Sequence, residues 1–221
     1  MEAQLSTGPG ADTGARERIL DAAAEAFQVQ GFGSTTIDDV AEQVSATKGL
    51  IYYHFRSKFD LFLAVYEEGM RRVRAKVEPH ARGEGTGCER LVAMSVAHVT
   101  NLMTDLAYHN VVHEGVRAQS STALKERQRD ALKALNKLRR DYEQMFHQVV
   151  SEGIADGSLR TVDAALATRT LLSSLNAVDM WYRKIDDQPA EAVGSLAGRI
   201  VDLLIGGIAT RPGRSGDTAA G

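Results

Sequence analysis

A single cysteine, Cys88, in 221 residues excludes an internal disulfide framework. Only 4 prolines interrupt the chain, so long stretches carry no helix breaker. Alternating runs of Val, Ile and Thr are few, and strands are not expected. No apolar run approaches the roughly 18 residues of a membrane span. Residues 1–15 are rich in Gly, Ala, Ser and Thr and lack the basic-then-apolar order of a signal peptide. There is no excess of positive charge either: the formal net charge is −3, which does not advertise a nucleic-acid binder. What remains is an all-α, reduced, cytoplasmic chain, with an ordinary 43% hydrophobic content and length for one domain or two modest ones.

The organising stretch is Thr35–Phe55, TTIDDVAEQVSATKGLIYYHF. Ile37, Val40, Ala41 and Val44 recur at helical spacing and give a helix over Ile37–Val44 one buried side. Thr36 can N-cap it, with Asp39 three residues on as a capping-box partner. A tight turn follows, and Thr47 can cap a second helix over Thr47–Tyr53. This is the shape of a helix-turn-helix whose second helix enters a DNA major groove. Lys48 can reach a guanine edge or a phosphate, and Gly49 lets backbone approach backbone. Tyr52, Tyr53 and His54 carry polar tips on flat apolar bodies, suited to phosphate bonds and thymine methyls.

Gly31-Phe32, Thr35-Thr36, Lys48-Gly49, Tyr52-Tyr53-His54-Phe55 and Ser57-Lys58 together resemble the signature of the TetR family of one-component repressors, over about Arg16–Val77. The resemblance implies phosphate contacts from Thr36, Thr47, Tyr53, His54 and Lys58. It also implies a larger helical domain that dimerises and binds a small molecule. Two positions depart from the pattern. Ser45 stands where the family has Gly in the turn, and needs a left-handed backbone there. Leu50 replaces a Thr or Ser near the groove.

Charge weighs against the DNA reading. Within Arg16–Asp60, Arg16, Arg18, Lys48, Arg56 and Lys58 face seven acids, Glu17, Asp21, Glu25, Asp38, Asp39, Glu42 and Asp60, for a net −2. Placement answers it: the acids cluster on the first two helices, while Lys48, Arg56 and Lys58 frame the docking edge. Few phosphates are then neutralised per subunit, and the salt dependence should be modest.

The chain divides into a flexible tail (1–15), a DNA-binding domain with its linking helix (16–77), a ligand-binding and dimerisation domain (88–209) and a second tail (210–221). Helices are expected over Ala15–Gln30, Lys58–Val77, Glu89–Tyr108, Asn110–Gln119, Thr122–Glu152, Val162–Arg183 and Glu191–Ala209. Pro79, Gly83, Gly85 and Gly87 mark the boundary between domains. The last two helices are too apolar all round for one buried stripe. Leu171, Leu175, Leu196, Ile200, Leu203 and Leu204 are therefore candidates for a homodimer face. A two-fold reader of a palindromic operator in double-stranded DNA needs such a face.

Met103, Tyr108, His109, Tyr142, Phe146, Asn176, Met180, Trp181 and Tyr182 can line an apolar pocket with a few polar groups, fit for a small organic effector. The Trp181-Tyr182-Arg183 run and the Gly157-Ser158-Leu159-Arg160 turn are similar to actinobacterial repressors of steroid and fatty-acid catabolism, several of which sense acyl-coenzyme A thioesters. That likeness implies that Arg117, Arg127, Arg139, Arg140 or Arg183 meets nucleotide phosphates. His109 and His113 have the spacing of a metal pair, but no third ligand follows and no metal is expected. No Glu has His three residues on, which removes the di-iron bundle and with it the main enzyme reading. No cofactor is expected. An activator, or a DNA-binding protein without an effector, shares the same N-terminal motif.

Overall fold

The computed structural model of the chain describes residues 9–118, 125–185 and 187–207. Among them are ten helices and no strand: α1 (Pro9–Ser34), α2 (Ile37–Gln43), α3 (Lys48–His54), α4 (Lys58–Ala81), α5 (Gly87–Thr104), α6 (Leu106–Ala118), α7 (Glu126–Ala155), α8 (Ala164–Asn176), α9 (Val178–Trp181) and α10 (Ala190–Gly206). None is long and apolar enough to cross a membrane. Residues 1–8, the C-terminal stretch 208–221, the Thr122 helix start and the Arg117 side chain lie outside the described residues.

Ile19, Leu20, Ala23 and Phe27 of α1 close over Ile37, Val40 and Ala41 of α2, Ile51 of α3, and Leu61, Phe62 and Val65 of α4. Phe32 and Phe62 meet edge to face, centroids 5.0 Å apart. α4 packs on α1 and also on α5, α6 and α7, so one helix belongs to both cores. Its buried side runs from Leu61 to Val77 without a gap between the two.

Several boundaries shift from the sequence reading. α1 begins at Pro9, inside the expected tail, and leaves helical geometry at Gly31 (φ 78°, ψ 154°). α4 runs through Pro79 to Ala81 and turns only at Gly83 and Gly85. A proline so near the C-terminus forfeits one hydrogen bond and leaves the earlier turns intact. The break after α5 falls at Asp105, whose carboxylate accepts from Asn101 Nδ2 at 2.8 Å, rather than beyond Tyr108. The helix expected over Val162–Arg183 is split at Ala177. Asn176, a poor helix former, sits at that break and spends its amide oxygen on His98.

The start of α5 meets the end of α7 backbone to backbone. A Cβ built on Gly87 would stand 2.2 Å from Gly153 Cα, so α5 can carry no side chain there, while one on Gly153 would first meet the Leu159 side chain at 2.7 Å. The turn after α7 caps α5: Asp156 Oδ2 accepts from Gly87 N at 2.7 Å, and Ser158 Oγ from Cys88 N at 2.9 Å.

Candidate nucleic-acid interface and effector cavity

Two caps and one turn set the docking edge. Thr36 Oγ1 accepts from Asp39 N at 3.2 Å while Asp39 Oδ2 accepts from Thr36 N at 2.7 Å, a complete capping box. Thr47 Oγ1 accepts from Leu50 N at 3.3 Å and starts α3. Between them Ala46 N donates to Ala41 O at 2.8 Å and Ser45 N to Glu42 O at 3.0 Å. This is a Schellman turn, and Ser45 holds its left-handed position at φ 51°. The serine therefore carries strain that glycine would not. Ser45→Gly is expected to raise the unfolding free energy by about 0.5–1 kcal/mol, net of the added flexibility of the unfolded chain. Urea denaturation of the two proteins measures it.

Thr36, Thr47, Lys48, Gly49, Tyr52 and Tyr53 all lie exposed along this edge, Tyr53 at 72%. A Cβ on Gly49 would meet only Thr47 Oγ1 at 3.7 Å, so nothing inside the protein demands glycine there. Lys48 Nζ is 2.7 Å from Asp38 Oδ2, a pair open to water on both sides, and that carboxylate holds the ammonium pKa up. His54 is half-buried and packs its ring on Tyr53. Lys58 is placed differently from the phosphate contact expected. Its Nζ donates to Phe32 O, Gly33 O and Thr35 O at 2.6, 3.1 and 2.6 Å and lies 4.7 Å from the Phe32 ring centroid. Its three donors are spent on the end of α1, and it positions the domain instead of reaching outward.

A separate cavity of about 510 Å³ lies between α4, α5, α6, α7, α8 and α9. His109, Tyr142, Asn176 and Met180 line it, as the sequence reading expects. Met180 is 77% exposed, so the cavity reaches the surface there. The other five residues expected at the pocket sit elsewhere. Met103 is buried in the core, and Phe146 backs the wall behind Tyr142, centroids 5.4 Å apart. Trp181 is 55% exposed, and Tyr108 turns away to donate to Asp21 Oδ1 at 2.7 Å. Tyr182, named with them, is buried and donates to Gln188 instead. The sequence reading missed His98 and Asp179 and gave His113 only a metal-type spacing. His98 looked like one more residue of an apolar helix, and no local pattern marks it.

In the cavity wall Tyr142 Oη lies 2.9 Å from His98 Nδ1, and Asn176 Oδ1 lies 3.2 Å from His98 Nε2. With Oδ1 an acceptor, Nε2 carries the proton and Nδ1 accepts from the tyrosine. The imidazole is neutral, and burial pushes its pKa from the ordinary 6.5 down to about 4. His109, also buried, is lowered as well and sits 3.1 Å from Asn101 Oδ1. A histidine neutral in the fold and protonated when unfolded stabilises fully above 6.5 and loses that contribution as pH falls towards 4. The unfolding free energy should drop by about 2 kcal/mol between pH 7 and pH 5 on account of His98. His98→Gln should flatten that slope in urea titrations at the two pH values.

From His109 a polar chain leaves the cavity. Asn101 bonds Asp105, Arg72 Nη1 lies 3.6 Å from Asp105 Oδ1, and Arg72 Nη2 lies 2.9 Å from Asp21 Oδ1 on α1. Arg72 also pairs with Glu68 at 2.8 Å and stands 4.2 Å from the Tyr108 ring centroid. The cavity wall and the first helix of the DNA-binding domain thus share one bonded network.

Comparison with known proteins agrees with this division. Residues 19–65 match the bacterial regulatory proteins of the tetR family, and residues 84–208 match the tetracyclin repressor-like C-terminal domain. The chain is 25% identical over 195 residues to the fatty acid metabolism regulator protein of Bacillus subtilis, covering 86% of this chain and 94% of that one. It is 24% identical over 206 residues to the transcriptional repressor KstR2 of Mycolicibacterium smegmatis, covering 93% and 96%. Among solved structures it resembles the TetR-family regulator PfmR of Thermus thermophilus, with TM-score 0.72, 25% identity, and 87% and 100% of the chains covered. It shares its fold with FadR of Bacillus subtilis, solved with stearoyl-CoA, at TM-score 0.64, 21% identity, and 87% and 99% covered. With one family domain over the helix-turn-helix and the other over more than half the chain, this protein belongs to the TetR family of transcriptional regulators.

Proposed function

We propose that this chain is a homodimeric repressor that binds a palindromic operator and is released by an acyl-coenzyme A thioester. The observation that carries the reading is the separation of two sites joined by one helix. α3 presents an exposed polar edge, and the cavity takes Gly69, Met70 and Val73 from the middle of α4, behind a bonded network. The acyl-coenzyme A assignment is supported by the fatty-acid-regulator relative and by the ligand of the FadR structure. Arg139 lines the cavity, whereas Arg127, Arg140 and Arg183 lie exposed on the surface.

The dimer reading rests on α8 and α10. Leu166, Leu203 and Leu204 are exposed and Leu171, Leu196 and Ile200 half-buried on their outer side. Cβ atoms built on Gly194 and Gly198 meet nothing within 4 Å, so a second helix can approach closely there. Leu175 is fully buried within the single chain and does not serve that face. Two recognition helices held about 34–36 Å apart would match half-sites one turn apart. An effector favouring another spacing would weaken operator binding, with a typical coupling of about 1–3 kcal/mol.

Genomic fragments retained on the purified protein at about physiological salt, then sequenced, test the reading. A short palindrome is the expected result, with retention falling only modestly as salt rises. Uniform, salt-sensitive retention, or none, would overturn it.

A further inference from the structure

The cavity wall sets polar side chains into a largely apolar surface. Val73, Val112 and Leu172 belong to its apolar part, and His98, His109, His113, Asn176, Asp179 and Arg139 stand among such residues. Their bonds leave both donors and acceptors for an occupant. Asn176 gives Oδ1 to His98, and its Nδ2 has no partner among the described residues. Arg139 bonds Glu143 through Nη1 at 2.7 Å, and its buried Nε has no partner among them. His113 Nδ1 lies 2.6 Å from Asp179 Oδ2, which leaves Nε2 over. His109 spends Nε2 on Asn101, which leaves Nδ1. A methylene chain laid here would strand each of these groups away from water. Hydroxyl or keto oxygens accept from donors such as Asn176 Nδ2 and Arg139 Nε, and a hydroxyl O–H can also donate to a histidine nitrogen left over.

We propose that the effector's acyl group carries hydroxyl or keto oxygens, and that Asn176 and His113 select it against plain hydrocarbon chains. This rests on the cavity being the effector site of the proposed repressor. Sites built to hydrogen-bond an oxygen reject analogues lacking it by up to about 10⁴-fold, whereas apolar sites discriminate far more weakly. His98 and Tyr142 hold the Asn176 amide in place, so its orientation is fixed before the effector arrives.

Titration calorimetry of the full chain with matched thioesters tests the proposal. The probes are octanoyl-CoA and stearoyl-CoA against 3-hydroxyoctanoyl-CoA, 3-oxooctanoyl-CoA and 8-hydroxyoctanoyl-CoA. The tightest oxygenated probe is expected to bind at least about a hundredfold more tightly than either plain chain. In Asn176→Leu and His113→Phe that preference should shrink below about tenfold, with plain-chain affinity held or improved and operator binding intact as the check on folding. A plain chain that binds as tightly as every oxygenated probe would overturn the inference and leave the acyl-coenzyme A repressor standing. Binding of none of the five would overturn both the thioester reading and this one. A preference unchanged in both variants, with operator binding kept, would remove Asn176 and His113 as the selecting residues.

Discussion

Lys48→Ala loses operator affinity by about fivefold to a hundredfold for each half-site, and the two half-sites of a palindrome compound the loss. Tyr53→Ala behaves alike; its phenol is largely exposed, and the ring contact it gives up is the edge-on one with His54. Effector affinity stays unchanged in both, because the cavity shares no residue with α3. Fluorescence anisotropy on a labelled operator and calorimetry on the effector measure the two quantities. The ion pair sharpens the case. Lys48 must leave Asp38 to reach DNA, and Asp38 brings a negative charge to a phosphate surface. Asp38→Asn should therefore tighten operator binding several-fold, most visibly at low salt. Full operator affinity in Lys48→Ala and Tyr53→Ala together would remove α3 as the reading helix.

Arg72→Met uncouples the two ends of the protein. Among the described residues, Arg72 is the one side chain bonded both to α1, through Asp21, and to the end of α5, through Asp105. Removing it leaves Glu68 with Arg71 and Asp21 with Tyr108, so no carboxylate is stranded. The unfolding free energy should fall by about 1–3 kcal/mol for the lost charged hydrogen bonds. Operator and effector affinities measured separately should each stay within several-fold of the parent. Their mutual effect, expected at about 5–150-fold in the parent, should shrink below about threefold. Operator affinities taken with and without a saturating thioester decide it. An unchanged ratio would show that the signal travels through the packing of α4 alone.

The helix-turn-helix was legible in the sequence because everything that makes it is local. Thr36, Asp39 and Thr47 act over three residues. Ser45 was legible for the same reason, since its left-handed turn depends only on its neighbours. The cavity was legible as an inventory of residue types and no further. His98 joins Tyr142 and Asn176 across 44 and 78 residues of chain, and no spacing encodes such partners. Tyr108 and Trp181 are as plausible in a pocket as Tyr142 by type, yet one faces Asp21 and the other water. Lys58 shows the converse. A lysine at a basic edge reads as a phosphate contact, and only the fold reveals three carbonyls within its reach.

The contact between Gly87 and Gly153 has a consequence for how such a sequence diverges. Because the backbone of Gly153 walls it, a side chain at Gly87 is blocked by atoms that cannot swing aside as a rotamer would. Gly87 therefore has no stepwise route to another residue. It would change only with a wider gap between α5 and α7, and that gap would also part Gly87 N from Asp156 and Cys88 N from Ser158. Drift is therefore shut out at this corner while the cavity wall a few turns away stays free to vary. Lineages of this fold could then explore new effectors on a frame whose corner does not move.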